Sequence, residues 1–170
     1  GRRNSTTDST RLRLPTRERR FLDCLVMPRC PTDLSNLLAR DRSGRRALPA
    51  AVAWRYGQQL LQAIAHCHSL GVVHNDIKLQ NVCVDTDGAV QLIDFGLSTF
   101  AAASAAEEKA NFAGTYAYMA PEVLQQRARG KASDMWSFGV CLFVMLTGKF
   151  PHRHGDLGEL MADIASSTYV

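Results

Sequence analysis

The stretch His74-Asn75-Asp76-Ile77-Lys78-Leu79-Gln80-Asn81, followed by Asp94-Phe95-Gly96, constrains this chain more than any other feature. Its surroundings are regular, and it is not. From Ala50 the apolar positions Val52, Tyr56, Leu60, Ile64 and Cys67 recur every three to four residues, which predicts an amphipathic helix ending near Gly71. Beyond the polar stretch, short strands Val82–Val84 and Val90–Ile93 flank the turn Asp85-Thr86-Asp87-Gly88. The polar residues therefore belong on loops that border small strands, held by a helical scaffold.

Their chemical types suit phosphoryl transfer. An attacking hydroxyl needs a proton acceptor, a moving phosphoryl group needs a cation, and magnesium needs converging oxygen ligands. Asp76 supplies the acceptor and Lys78, two residues on, the cation. Asn81 and Asp94 offer the hard oxygens. Taken alone, Asp76 reads equally as a turn or cap residue. The register of all four favours the chemical reading.

Further motifs follow in order. Gly114-Thr115-Tyr116-Ala117-Tyr118-Met119 precedes Ala120-Pro121-Glu122, and Asp134-Met135-Trp136-Ser137-Phe138-Gly139 opens an apolar helix. Together with the first two, these motifs resemble the eukaryotic-type protein kinases from about Phe21 onward. Lys78 and the Gly-Thr-x-x-Tyr-x-Ala-Pro-Glu pattern resemble the serine/threonine-specific branch. The resemblance implies an α+β fold, the kinase-like C-terminal lobe, mainly α-helical with a few short strands around the catalytic loop. It implies transfer of the γ-phosphoryl group of ATP to a protein Ser or Thr hydroxyl, with Mg2+. In its terms Thr115 braces Asp76 and Lys78, His74 and Phe95 pack the loops into line, and Asp134 anchors the catalytic loop backbone. Met27 falls at the gatekeeper position, Pro28 to Cys30 at the hinge, and Cys83 beneath the adenine, so Met27, Arg29, Cys30 and Cys83 become nucleotide-contact candidates.

Upstream, residues 21–27 read as a strand ended by Pro28 and Pro31, and Asp33 can cap a short helix, Leu34 to Ala39. Arg40 to Pro49 is a charged loop. Ala101 to Ala110, rich in Ala and Glu, reads as mobile or weakly helical. The family's Gly-rich loop, small-lobe lysine and partner glutamate belong before residue 21. There the sole glycine is Gly1, and all four lysines (Lys78, Lys109, Lys131, Lys149) lie downstream. Residues 21–170 are thus expected to be hinge plus large lobe, truncated at the C-terminal end and poorly active or inactive alone. The alternative is a truncated kinase-like protein or pseudokinase that binds partners without catalysis. An incomplete sequence is a third reading, which the Gly1 start supports.

Composition sets outer bounds. At 170 residues and 46% apolar content the chain fits one globular domain with a core. The formal charge of +4 is an average over unlike parts, because residues 1–20 carry seven arginines against Asp8 and Glu18. That tail reads as a solvated, disordered extension. Contact with an acidic partner or nucleic acid, or an Arg-rich targeting role, are secondary readings, and nucleic acid is not an expected partner. Five cysteines without a CxxC pair suit reduced thiols in a cytoplasmic or nuclear protein. His66-Cys67-His68 points to different helix faces and cannot converge on one metal ion. The apolar run Phe138 to Leu146 is far short of the roughly 20 residues of a membrane span.

Departures from the family pattern carry expectations of their own. Asn75 stands where the family places an Arg that pairs with an activation-segment phosphate. The commonest phosphate-bearing position falls at Asn111, which cannot be phosphorylated. Loss of both halves predicts a line not gated by that phosphate. Leu79 and Gln80 replace common Pro and Glu at positions without a ligand role. Glu122 is expected to sit partly buried without its family arginine, at an order-of-magnitude cost of about 3–5 kcal/mol in a dry site. An exposed apolar face is expected near the terminus.

Overall fold

The computed structural model describes residues 27, 29–39, 46–101, 116–125, 129–152 and 157–165. The architecture is mixed and mostly helical. Five strands and five helices run in the order β1 (Thr32–Asp33), α1 (Leu34–Ala39), α2 (Ala50–Ser69), β2 (Val72–Val73), β3 (Val82–Val84), β4 (Val90–Leu92), β5 (Thr99–Phe100), α3 (Pro121–Leu124), α4 (Lys131–Thr147) and α5 (Leu157–Ala165). Single 3-10 turns lie at Leu79–Asn81, Phe95–Leu97 and Tyr116–Tyr118.

Helix α2 forms where the apolar period predicts it. Its buried face is Ala53, Tyr56, Gly57, Leu60 and Ile64, with Val52 and Cys67 only half-buried. The stripe therefore runs one residue round from its predicted start, because small residues on this face let α4 come close. A Cβ at Gly57 would meet Leu142 Cδ1 at 3.2 Å. Helix α4 closes the contact with Val140, Cys141, Val144 and Met145, and the common core adds Leu34, Ile77, Leu79 and Val82.

Ends are satisfied locally. Asp33 Oδ1 accepts from Asn36 N at 2.9 Å, the cap that the sequence predicts for α1. The same residue also pairs with Cys83 in a strand that the sequence does not announce. At the far end of α4, Gly148 turns left-handed (φ 72°) and its N–H donates to Val144 O at 2.8 Å. Only glycine fits there, since a Cβ would lie 2.9 Å from the Arg46 backbone.

Strand order β1-β3-β4 makes an antiparallel sheet, with β2 and β5 paired separately. The β3–β4 turn is the predicted Asp85–Gly88 segment. Asp85 Oδ1 accepts from Asp87 N at 2.9 Å and from Ala89 N at 2.8 Å, and Gly88 has φ 79°. Strand β4 ends at Leu92, one residue short of the prediction, yet Ile93 N still donates to Asn81 O at 2.9 Å. Gln59 of α2 clamps the hairpin, donating to Gly88 O (3.2 Å) and accepting from Val90 N (2.9 Å). The predicted strand 21–27 lies outside the described residues except for Met27, which is not in a strand. The expectations for residues 1–20, 40–45 and 102–115 also fall outside them.

Candidate active site

The hairpin positions the site. Its register pairs Val82 with Leu92, and the bond from Ile93 to Asn81 carries the pairing one step further. Asn81 and Asp94 therefore leave the same end of the hairpin, although they are distant in sequence. Asp76 and Lys78 reach that end through the 3-10 turn Leu79–Asn81, whose Asn81 N bonds Lys78 O at 3.0 Å.

Asp76 is the focus of the contacts. Lys78 Nζ lies 2.7 Å from Asp76 Oδ2, and Asn81 Nδ2 donates to the same oxygen at 2.9 Å. Asn81 Nδ2 also donates to Asp76 O at 2.9 Å. Both amide N–H groups of Asn81 are thus committed, which leaves its carbonyl oxygen for a hard cation. Asp76 Oδ1 takes part in neither of the two side-chain bonds.

Two anchors fix this loop. Asp134, at 2% exposure, accepts from His74 N and Asn75 N, each at 2.9 Å, and pairs with His68 Nε2 at 2.8 Å. The second anchor is His74. Its Nε2 donates to Ile93 O at 3.0 Å and its Nδ1 accepts from Asp76 N at 3.3 Å, so these partners select the Nε2–H tautomer. Its ring meets Phe95 edge-on at 4.7 Å. The expected packing role of His74 is present, and a hydrogen-bonding role joins it.

Asn75 adopts φ 66°, a left-handed conformation that Asn tolerates better than most residues. Its Nδ2 donates to Leu97 O at 2.9 Å and to Thr99 Oγ1 at 3.0 Å. Its Oδ1 is buried without a hydrogen-bond partner, beside a small cavity lined by Met119, Arg129, Ser133 and Ser137. The side chain standing at the family's Arg position is thus a neutral clasp from the catalytic loop to the segment after Asp94.

Asp94 is the other left-handed residue (φ 63°, ψ 71°) and is exposed. Its Oδ1 accepts from Gly96 N at 3.3 Å. One carboxylate and one amide oxygen suit magnesium, which keeps several waters and draws further oxygens from substrate phosphates. Among the described residues no group of three or more His, Cys, Asp or Glu gathers as a metal cluster. In the His-Cys-His run, His68 pairs with Asp134 while His66 is exposed.

The remaining candidates are scattered. Thr115 lies outside the described residues, as do Gly114 and Asn111. Met27 is 53% exposed and Arg29 is exposed, whereas Cys30 is half-buried ahead of β1 and Cys83 half-buried within β3. Glu122 is half-buried, and Ser133 Oγ donates to its Oε1 at 3.2 Å. The hydroxyl reaches it from the first turn of α4, a contact that no local pattern signals.

Sequence reasoning missed two supports. Burial pushes the Tyr118 phenol well above its ordinary range, and its ring shares the core with Leu79 of the 3-10 turn. Ser137 Oγ donates to Tyr118 O at 2.7 Å from α4. Both residues sit inside recognised motif strings, but nothing local reveals their partners.

Comparison with known proteins supplies the remaining observation. The sequence model described as the protein kinase domain matches residues 16–168. This chain belongs to the protein kinase family. It is 45% identical over 130 residues to putative CBL-interacting protein kinase 13 of Oryza sativa subsp. japonica, covering 75% of this chain and 25% of that protein. It is 44% identical over 110 residues to putative ribosomal protein S6 kinase alpha-1 of Caenorhabditis elegans, covering 64% of this chain and 14% of that protein. Against the hormonally up-regulated neu tumor-associated kinase of Mus musculus, identity is 41% over 128 residues, covering 75% of this chain and 18% of the relative. This kinase chain thus spans about a quarter or less of the curated relatives it matches. Among its described residues no helix is long and apolar enough to cross a membrane.

Proposed function

We propose that the protein is a serine/threonine kinase in which Asp76, Lys78, Asn81 and Asp94 serve transfer of the ATP γ-phosphoryl group to a protein hydroxyl. The observation that carries this reading is the division of labour at Asp76. Its Oδ2 is occupied by Lys78 and Asn81, so Oδ1 can orient a substrate hydroxyl and take its proton as the new bond forms. Lys78 stands beside that carboxylate to meet charge on the transferring group. Magnesium, held by Asn81 and Asp94, would supply charge neutralisation of the nucleotide phosphates. Residues 21–170 are read as hinge and large lobe, with Thr115 bracing Asp76 and with Met27, Arg29, Cys30 and Cys83 bordering the adenine. The free cysteines Cys30, Cys67, Cys83 and Cys141 fit a reducing compartment, cytoplasmic or nuclear.

The test is magnesium-dependent ATP binding by calorimetry. Asp94→Asn keeps a residue tolerant of the left-handed backbone and removes the charge. Binding is expected to weaken at least about tenfold, or about 1.4 kcal/mol. Equal affinity with and without magnesium would refute the metal assignment.

The Asn75 clasp supports a line not gated by activation-segment phosphate, since Leu97 and Thr99 are already held by a neutral side chain. Phosphatase treatment of the full-length protein should leave its activity unchanged. A large drop would sink this reading.

A further inference from the structure

Helix α2 grips the β3–β4 hairpin through one polar side chain. Gln59 Nε2 donates to Gly88 O at 3.2 Å, and Gln59 Oε1 accepts from Val90 N at 2.9 Å. Those two main-chain groups flank Ala89, so the carboxamide stands where a peptide group of a neighbouring strand would. Ala89 itself is satisfied by Asp85: Ala89 N donates to Asp85 Oδ1 at 2.8 Å, and Asp85 N donates to Ala89 O at 3.0 Å. The turn end of the hairpin is thereby closed on itself and clamped to one point of the helix.

Apolar packing does not supply that point. Val82 and Val84 are buried, and Val90 and Leu92 pack on the core that holds Leu60 and Ile64 of α2. Such contact decides which face of the hairpin meets the helix, but it is non-directional and leaves sliding and tilt soft. Hydrogen bonds carry narrow distance and angle requirements, so the amide fixes the place. The other end of the same hairpin carries Asn81 and Asp94, bridged by the bond from Ile93 N to Asn81 O at 2.9 Å. Further along α2, by about 14 Å of helix rise, His68 pairs with Asp134, which holds the loop of Asp76. One helix therefore carries the hairpin and, through Asp134, the loop beside it.

We propose that Gln59 is a positioning residue for magnesium, its carboxamide setting where Asn81 and Asp94 stand relative to Asp76. The metal consequence rests on the reading of Asn81 and Asp94 as magnesium ligands; the clamp itself does not. Strands this short, paired along their whole length, deliver at Asp94 a shift admitted at Val90. Magnesium demands near-ideal octahedral geometry, so a small displacement of its ligands is felt by the metal before it is felt by the fold.

The experiment compares the whole chain with Gln59→Leu, which removes both bonds at similar size. Gln59→Glu is the second variant; it keeps the acceptor for Val90 N and sets a carboxylate against Gly88 O. Magnesium is titrated at fixed ATP by calorimetry, and amide exchange is followed at Ile93, His74 and Asn75. Gln59→Leu should need at least about fivefold more magnesium for half-maximal binding, less than the roughly 10–100-fold of a direct outer-shell partner because Gln59 acts through the strands. Gln59→Glu should raise the requirement too. Exchange at Ile93 should accelerate at least about fivefold, while His74 and Asn75, held by Asp134, keep their protection. Leu160→Ala, which empties a buried position on α5, loosens the fold away from the hairpin and should leave the magnesium requirement unchanged. An unchanged requirement in Gln59→Leu, or an equal rise in Leu160→Ala, would overturn the proposal. So would loss of fold in both Gln59 variants by circular dichroism, which would make Gln59 a support of the whole domain. If the unsubstituted chain shows no magnesium-dependent binding, the kinase-site reading fails instead, and the rate at Ile93 still decides whether Gln59 holds that end of the hairpin.

Discussion

The loop carrying Asp76 and the turn carrying Asp94 meet the same end of the β3–β4 hairpin but are built in opposite ways. Asp76 and Asn81 are 7% and 6% exposed and bonded to each other. Their loop hangs from Asp134 by two backbone N–H groups. Asp94, Phe95 and Gly96 are exposed, and among the described residues the Asp94 carboxylate accepts a 3.3 Å bond from Gly96 N. The difference follows from the chemistry proposed for each. A proton acceptor works only if it is fixed before the substrate arrives, because reorganisation at the moment of reaction adds to the barrier. A metal ligand must instead remain open to water and to a phosphate that brings its own oxygens.

Breaking the rigid half should have the largest effect. Asp134→Ala would strip three donors of one buried acceptor, and stability should fall by about 3 kcal/mol or more in urea titration. A loss under about 1 kcal/mol would mean that the loop does not hang from α4.

Next in size is the link between the halves. Asn75→Ala removes two neutral hydrogen bonds and places Ala in a left-handed conformation, for an expected loss of about 2 kcal/mol. Hydrogen exchange should accelerate at Leu97 to Phe100 while protection in α2 persists. Uniform acceleration would show that the clasp serves the whole fold rather than this segment.

A control away from both halves sharpens the contrast. Asp33→Ala deletes the α1 cap at a cost of about 1 kcal/mol, with exchange at Leu97 to Phe100 unaltered. The smallest change in stability belongs to the open half. Asp94→Asn should alter it by less than about 0.5 kcal/mol while weakening magnesium-dependent ATP binding. A large loss of stability there would erase the distinction between a rigid loop and an open turn.

What was legible in the sequence is what a few neighbouring residues encode. The Asp33 cap, the Asp85–Gly88 turn and helix α2 lie where caps, turn chemistry and apolar period place them. The elements on which Asp76, Lys78, Asn81 and Asp94 sit were readable for the same reason, as was their order along the chain. Less visible was the character of each contact. Cys67 reads as part of the buried stripe but is half-buried, while Gly57, outside the predicted stripe, marks the close approach of α4. Glu122 reads as a carboxylate without its family arginine, and the sequence does not announce that it accepts from Ser133.

The sequence by itself determined the family, the local elements and the residues able to do the chemistry, because motif order and short-range hydrogen bonding are written within a few positions. Only the tertiary structure decided that His68 pairs with Asp134 and that His74 bonds both Ile93 and Asp76. It also decided that Asn75 clasps Leu97 and Thr99, and that Cys30 meets Gln91. All but the bond between His74 and Asp76 span distant segments, and whether two side chains meet depends on how helices and strands pack, a property that no single stretch of chain contains.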